Sequence, residues 1–183
     1  LNVAEFPQHM IICWGIFYCG MAENRIQLPT MRFNLFYLVG IVYDKTYFDT
    51  QVSTIERICE VDGKIMMLDL PPNYEENVQK GILQPNTGMA LAERYRPRCA
   101  KVISGDQELT IPENPNWLTA AVMGESYMYP DYKRDEILRN NLIQEKPDIV
   151  IVGNGLSDEI KDQFPMARYI VFEEEGGYSA SHT

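Results

Sequence analysis

Short apolar runs that alternate with helical segments constrain the fold of this chain most strongly. The clearest run is Asp148–Val152 (DIVIV), which follows the amphipathic segment Arg134–Lys146 and precedes a Gly-Asn-Gly turn. A further helical segment, Asp158–Gln163, then leads to the apolar run Ala167–Phe172. Strands of a parallel sheet are buried on both faces, so they appear as continuous apolar runs with helices between them. The pattern therefore predicts a parallel sheet with crossover helices.

The rest of the chain repeats this pattern. Further strands are predicted at Ile11–Tyr18, Phe33–Tyr43, Lys64–Leu70 and Cys99–Ser104, and further helices after Asp49 or Thr50 and over Tyr74–Ile82 and Met89–Arg96. Gly40 indicates a bend or bulge in its strand, and Gly63 a left-handed end to the helix before it. We predict the α/β fold class. The chain would form a single domain over residues 1–183, complete or as a module of a longer chain. Its sheet would be mostly parallel and doubly wound, three-layer and Rossmann- or flavodoxin-like.

The charge balance argues against a general nucleic-acid binder. The chain has 26 acidic and 16 basic residues and a formal net charge of −10, whereas affinity for phosphate backbones depends on clustered Lys and Arg. The apolar stretch His9–Gly20 is shorter than the roughly 20 residues that a membrane span needs, and it lacks the basic start of a signal peptide. We therefore predict no membrane span, with removal of a leader left open.

The cysteines and histidines do not suggest a metal site. Cys13, Cys19, Cys59 and Cys99 form no C-x-x-C pair, and the two histidines are His9 and His182. A structural zinc site needs four closely placed thiolate or imidazole ligands, which this spacing does not provide. Each cysteine lies in or beside an apolar run, where a thiol behaves as a small hydrophobe. The prediction is reduced cysteines, no metal and no cofactor. Reduced cysteines favour an intracellular or virion-interior setting.

Candidate binding segments follow from the predicted sheet. In an open α/β sheet, ligands bind outside the carboxyl ends of the strands. Four segments are selected by this rule: Asp69–Asn73, Gly105–Gln107, Gly124–Ser126 and Gly153–Ser157. We expect a ligand site where these segments meet. Lys133 and Arg134 stand among acidic residues, which is typical of a solvated helix start and not of a phosphate-binding site.

The turn after Asp148–Val152 has two interpretations. Gly153, Asn154, Gly155 and Ser157 stand at the start of a helix, where backbone N–H groups could receive an anion or an oxyanion. Alternatively, the glycines only allow a tight turn, and Asn154 adopts a left-handed conformation. Ser157 or Asp158 is the predicted N-cap of that helix. A lone G-x-G lacks the third glycine of a dinucleotide-binding fingerprint, so both interpretations stay open.

Two short blocks resemble a known enzyme family. The segment GESY at 124–127 is similar to the GDS-x nucleophile block of SGNH/GDSL-type ester hydrolases and O-acyltransferases, and KPDIVIVGNGLSD at 146–158 resembles their later block. The resemblance implies that Ser126 attacks an ester while Gly153 and Asn154 donate to the oxyanion. Gly124, in the first block, joins the candidate ligand-binding residues. If Leu118–Met123 is a strand, Ser126 stands at its end, where a nucleophile can be presented.

The chain departs from that family in the residues that would activate the serine. Glu125 stands where the family has Asp, and there is no D-x-x-H block to supply a base. His182 is the candidate base, although no Asp stands three residues before it. A serine needs a positioned base to act as a nucleophile at neutral pH, so the catalytic set is incomplete.

Three functions therefore stay open. The first is an ester hydrolase or O-acyl transferase acting on a small or carbohydrate-linked ester. The second is a non-catalytic α/β interaction or assembly module that works through its aromatic and acidic surfaces, as part of an oligomer or larger assembly. The third is a nucleotide or nucleotide-sugar binding domain that uses the Gly153–Gly155 turn. The expected partner is accordingly a small-molecule ligand or another protein.

Overall fold

The computed structural model describes residues 35–111, 133–173 and 177–181, which form one mixed sheet with helices. The six strands are β1 (Tyr37–Ile41), β2 (Ile65–Leu68), β3 (Lys101–Ser104), β4 (Ile149–Gly153), β5 (Arg168–Phe172) and β6 (Tyr178–Ser181). The helices in these residues are α1 (Phe48–Cys59), α2 (Tyr74–Gln79), α3 (Thr87–Tyr95), α4 (Arg134–Glu145) and α5 (Asn154–Gln163), and a 3-10 turn spans Lys45–Tyr47. The spatial order is β3-β2-β4-β1-β5-β6. The pairs among β1 to β5 are parallel, and β6 runs antiparallel to β5. The prediction of an α/β fold with a mostly parallel sheet is confirmed.

Successive apolar residues along each central strand pack on opposite faces of the sheet. Val39 and Met66 belong to one apolar cluster, with side chains of α1 and α3, whereas Leu38 and Met67 belong to a second cluster, with side chains of α4 and α5. Side chains of a strand alternate between faces, so a strand covered on both sides must be apolar at every position. This requirement explains why the strands appear in the sequence as unbroken apolar runs.

The order of the strands opens a crevice at the carboxyl edge of the sheet. The chain leaves β1 for α1, and it leaves β2 for α2 and then α3. Both connections therefore lead to the face of the sheet against which α1 and α3 pack. The chain leaves β4 for α5, which packs with α4 against the opposite face. Because β4 lies between β1 and β2, the chain leaves neighbouring strands toward opposite faces on both sides of β4. Ligands of open α/β sheets bind at such reversals.

Three local predictions are wrong. The last helix begins at Asn154 and has Gly153 as its N-cap, so neither Ser157 nor Asp158 caps it. Asn154 is therefore helical and does not adopt the left-handed conformation. The chain turns into the helix directly at the end of β4, which carries Ser157 into the helix and away from solvent. Helix α1 ends before Gly63: its C-cap is Glu60, which is left-handed with a φ of 49°. Gly63 is also left-handed, with a φ of 72°, but it lies in the turn after the helix.

Gly40 also differs from its prediction, because β1 shows no interruption there. Gly40 pairs in register with Val152 of β4 and with Val171 of β5. A Cβ atom added to Gly40 would lie 2.4 Å from Ser157 Oγ and 2.9 Å from Asn154 Oδ1. The glycine therefore allows α5 to pack closely against β1, which is the other reason for glycine inside a strand.

The remaining predictions fall partly outside the described residues. The predicted strands Ile11–Tyr18 and Leu118–Met123 lie there, as do Cys13 and Cys19. Within the described residues, Cys59 and Cys99 are free thiols. The described residues all belong to one compact unit, Phe33–Thr183, so a single domain over residues 1–183 stays a prediction.

Candidate ligand site at the carboxyl edge of the sheet

Two buried carboxylates stand where β2 and β3 end. Asp69 follows β2 directly, and its backbone N–H donates to the Ile151 carbonyl of β4 at 2.9 Å. Asp106 lies two residues after β3. The side chains of Asp69 and Asp106 are only 2% and 1% exposed. Carboxylates are rarely buried to this degree unless a cation or several donors compensate them.

Gly105 brings Asp106 to this position. A Cβ atom at Gly105 would lie 2.6 Å from Met67 Cγ and 2.9 Å from Leu138 Cδ1. The backbone after β3 can therefore approach β2 and α4 this closely only with glycine at residue 105. Asp106 Oδ1 then accepts a hydrogen bond from the Gln107 N–H at 2.7 Å.

Arg134, the first residue of α4, pairs with both carboxylates. Its Nη2 lies 2.5 Å from Asp69 Oδ1, and its Nε lies 3.0 Å from Asp106 Oδ2. The Arg134 side chain is 18% exposed, so the prediction of a solvated helix start is wrong for this residue. The reason is that α4 begins over the carboxyl edge, where two buried acids require a cation. We call Asp69, Asp106 and Arg134 the charged cluster; its formal charge is −1.

Tyr43 and Gly153 complete the surroundings of Asp69. The Tyr43 hydroxyl donates to Asp69 Oδ2 at 3.0 Å, and the Gly153 N–H donates to the same oxygen at 3.4 Å. A Cβ atom at Gly153 would lie 2.8 Å from Tyr43 Cε2. Gly153 therefore makes room for the tyrosine ring, which carries the hydroxyl to Asp69. This is a close-packing role for the first glycine of the Gly-Asn-Gly turn.

The charged cluster lines a cleft of about 370 Å³. The other lining residues are aromatic, apolar or polar: Tyr43, Lys45, Pro71, Tyr74, Leu83, Asn86, Thr87 and Leu109. Together with the charged cluster, they come from the segments after β1, β2 and β3, from α2 and the segment after it, and from the starts of α3 and α4. The cleft therefore occupies the edge where the sheet order opens a crevice.

Hydrogen bonds fix the segments that form the cleft. The Asn73 side chain donates to the Leu109 carbonyl at 2.8 Å and accepts from the Leu109 N–H at 3.0 Å, which ties the segment after β2 to the segment after β3. The Tyr74 hydroxyl donates to the Gln84 carbonyl at 2.9 Å. Asn86 Oδ1 accepts from the Met89 N–H at 2.9 Å and so caps α3. These contacts make the cleft a preformed feature of the fold.

The side chains of the Gly153–Ser157 turn mainly hold α5 on the sheet. Asn154 Nδ2 donates to the Phe172 carbonyl at 2.5 Å. Ser157 is fully buried, and its hydroxyl donates to the Asn154 carbonyl at 2.6 Å and lies 3.1 Å from the Tyr169 hydroxyl. Gly155 is exposed in the first turn of α5. Of these four predicted residues, the structure brings Gly153 into contact with the charged cluster, whereas Asn154, Gly155 and Ser157 do not line the cleft.

The other predicted site residues, Gly124, Ser126 and His182, lie outside the described residues. Their predicted roles, and those of the backbone donors at the start of α5, stay predictions.

The rule on strand ends located the cleft, but not all of its residues. Three of the four segments that it selected contribute Asp69, Asp106 and Gly153 to one place. Tyr43 and Lys45 were missed, although the same rule applied to the end of Phe33–Tyr43 would have found them. Arg134 gave no signal in the sequence, because only the folded chain brings it to the two acids.

The part of the chain that the structure describes holds no group of three or more His, Cys, Asp or Glu side chains that could bind a metal ion. Among its helices, none combines the length and the apolar character needed to cross a membrane.

Comparisons with known proteins do not connect the chain to a family. No family model matches it, and neither the curated proteins nor the solved structures gave a significant match. The proposals below therefore depend on the geometry of the cleft.

Proposed function

We propose that this chain binds a small polar molecule in the cleft at the carboxyl edge of its sheet. The observation that supports the proposal is the charged cluster, in which two buried aspartates share one arginine beside an open cavity. A buried group of this kind contributes little stability, because removing charges from water costs about as much as their attraction returns. Charges that are buried beside a cleft and add little stability are characteristic of binding and catalytic sites.

The size and lining of the cleft fit a ligand of modest size. Ligand sites measure roughly 300–1,000 Å³ and combine apolar walls with a few fixed polar groups. At about 370 Å³, this cleft is near the small end of that range. Pro71, Leu83 and Leu109 supply apolar surface, and Asn86 and Thr87 supply polar groups. A three-layer, Rossmann- or flavodoxin-like assignment, which we retain as part of the proposal, would also have its ligand at this edge.

A fragment screen followed by NMR tests the proposal and does not require the ligand to be identified first. The full ¹⁵N-labelled chain is screened against small polar fragments, and the shifted backbone amides are mapped. We expect the hits to shift amides around Asp69, Thr87 and Asp106. Thr87→Trp would fill the cleft and abolish these hits, whereas Ser53→Trp, on the exposed side of α1, would leave them unchanged.

Two results would overturn the proposal. One is a set of hits that maps away from the cleft or a screen without hits. The other is equal binding by the Thr87→Trp and Ser53→Trp variants, since a bulky side chain in the true site must exclude a small ligand.

The other predicted functions have separate tests. Ester hydrolysis or O-acyl transfer draws on the resemblance of the GESY and KPDIVIVGNGLSD blocks and needs Ser126 as the nucleophile; a fluorophosphonate probe that fails to label Ser126 in the folded chain would remove it. Nucleotide or nucleotide-sugar binding would use the Gly153–Gly155 turn at the start of α5. A nucleotide at about one hundred times its Kd should add about 2.7 kcal/mol to the free energy of unfolding. An interaction module would be contradicted by a strictly monomeric chain that retains no partner.

A further inference from the structure

Lys45 is a cation that lines the cleft and has no salt-bridge partner among the described residues. Two other exposed lysines do have one, since Lys80 pairs with Glu76 and Lys101 pairs with Glu145. Unlike the other lysines of the described residues, Lys45 lines the cleft. The 3-10 turn that carries Lys45 is fixed at its start, because the Thr46 N–H donates to Asp44 Oδ1 at 2.8 Å. An ammonium group beside a cavity favours an anionic group in that cavity.

The remaining polar lining mixes donors and acceptors. Asp69 and Asp106 present carboxylate oxygens, Arg134 presents a guanidinium, Asn86 an amide and Thr87 a hydroxyl. The Asp69 oxygens already accept from Arg134, Tyr43 and Gly153, so the cluster does not require a full positive charge from a ligand. Hydroxyl groups both donate and accept, so they suit a lining of this kind better than an ammonium group, which only donates.

We infer that the ligand is a small polyhydroxylated molecule with one anionic group, a phosphate or a carboxylate. The anionic group lies beside Lys45, and the hydroxyl groups face the charged cluster with Asn86 and Thr87. The cavity of about 370 Å³ limits the ligand to roughly the size of a single sugar ring with its anionic group. This inference rests on the proposed function and narrows its ligand class.

The test compares charged and neutral sugars on the full-length chain. Isothermal titration calorimetry measures the Kd of D-glucose 6-phosphate, D-glucuronate, D-glucose and inorganic phosphate for the wild type and for Lys45→Ala. In the wild type, we expect one of the two anionic sugars to bind more tightly than both D-glucose and phosphate alone. We expect Lys45→Ala to raise the Kd of that sugar about tenfold or more, because a charge-assisted contact contributes at least this factor to affinity. The Kd of D-glucose should not change. Whichever anionic sugar binds more tightly identifies the group as phosphate or carboxylate.

Lys101→Ala is the matched control. Lys101 is the first residue of β3, so it lies at the amino ends of the parallel strands, opposite the cleft, and its substitution removes the same charge. We expect this variant to bind all four probes like the wild type, which also excludes a general effect of net charge.

The outcomes separate this inference from the proposed function. Two results would overturn the inference. One is an equal affinity of the wild type for D-glucose and both anionic sugars, and the other is an equal loss of affinity for the anionic sugar in Lys45→Ala and Lys101→Ala. If fragments still map to the cleft, the proposed function survives that result. If none of the four probes binds while fragments occupy the cleft, the ligand class is wrong; if fragments also fail to bind, both proposals fail.

Discussion

Among single residues, Arg134 has the largest predicted effect on stability. It lies between Asp69 and Asp106, whose side chains are 2% and 1% exposed. Arg134→Met would leave both carboxylates without their cation, which should cost about 3–5 kcal/mol of unfolding free energy. Arg139→Met, on an exposed position of the same helix, should change it by about 0.5 kcal/mol or less. Urea denaturation measures both values, and similar losses in the two variants would mean that the ion pairs do not form.

Gly153 and Gly155 stand two residues apart and should respond in opposite ways to alanine. The φ of Gly153 is −63°, which alanine tolerates, but its Cβ would contact the Tyr43 ring at 2.8 Å. Gly153→Ala should displace that ring from Asp69 and cost about 1 kcal/mol. At Gly155 a Cβ meets nothing within 4 Å, so alanine should stabilise α5 by about 0.5–1 kcal/mol. Thermal denaturation with the same sign for both variants would contradict this account of the turn.

Cys59 should make the protein less stable at alkaline pH. Burial raises the pKa of its thiol from 9.0 to about 12. As the pH rises, the unfolded chain therefore loses this proton before the folded chain does. The contribution of the protonated thiol to the free energy of unfolding is complete below pH 9 and declines as the pH rises toward 12. One such group changes the free energy of unfolding by at most about 1.4 kcal/mol per pH unit.

Urea denaturation at pH 8, 9 and 10.5 tests this dependence against Cys59→Ala. The variant should lose part of the pH dependence and keep a remainder, because burial also raises the pKa of Tyr169 to about 12. Identical slopes for the two proteins above pH 9 would show that the Cys59 thiol titrates normally.

The residues of the site differ in how far the sequence could reveal them. Asp69 and Asp106 follow predicted strands, so the position of ligand sites in α/β sheets was enough to select their segments. Arg134 depends on a contact with a residue 65 positions away, and its local sequence indicates only a polar helix start. Charge pairing across such distances has no periodic signal in the sequence.

At the level of elements, the packing of α5 on β1 depends on Gly40. A Cβ there would lie 2.4 Å from the buried Ser157 hydroxyl, so Gly40→Ala should cost about 1–3 kcal/mol. Ser157→Ala should cost about 1 kcal/mol through its lost hydrogen bonds. Because the second substitution removes the atom that the first one meets, the double variant should cost less than the sum. Additive losses in urea denaturation would indicate that the helix and strand do not meet at these residues.

The elements themselves were predictable where burial determines the sequence. Strands β1, β2, β3 and β5 fall inside their predicted runs, and β4 extends one residue beyond its run, to Gly153. The central strands were predictable because a strand covered on both faces carries few polar residues. The start of α5 was predicted too late, since Ser157 has the composition of a cap but is held in the core by Asn154 and Tyr169. Strand β6 pairs with β5 at the edge of the sheet, and such a short exposed strand has no apolar run to reveal it.

For the whole molecule, the sequence predicted the class of fold but not the order of its strands. Alternation of apolar runs and helices requires parallel strands with crossovers, and this holds for β1 to β5. The position of β4 between β1 and β2 depends on backbone pairing between residues far apart in the chain, and no local pattern encodes it. That position nevertheless creates the crevice, so the location of the site could be predicted only as an edge of the sheet.

The ends of β2 and β3 and the start of α4 form one buried charged cluster beside the cleft. Hydrogen exchange of arginine side chains tests it directly, with the Nε–H resonances assigned from Arg134→Lys and Arg139→Lys. We expect the Arg134 Nε–H to exchange with water much more slowly than that of the exposed Arg139, and fragments bound in the cleft to shift the Arg134 resonance alone. Equally fast exchange at Arg134 and Arg139, with no shift on fragment binding, would contradict it.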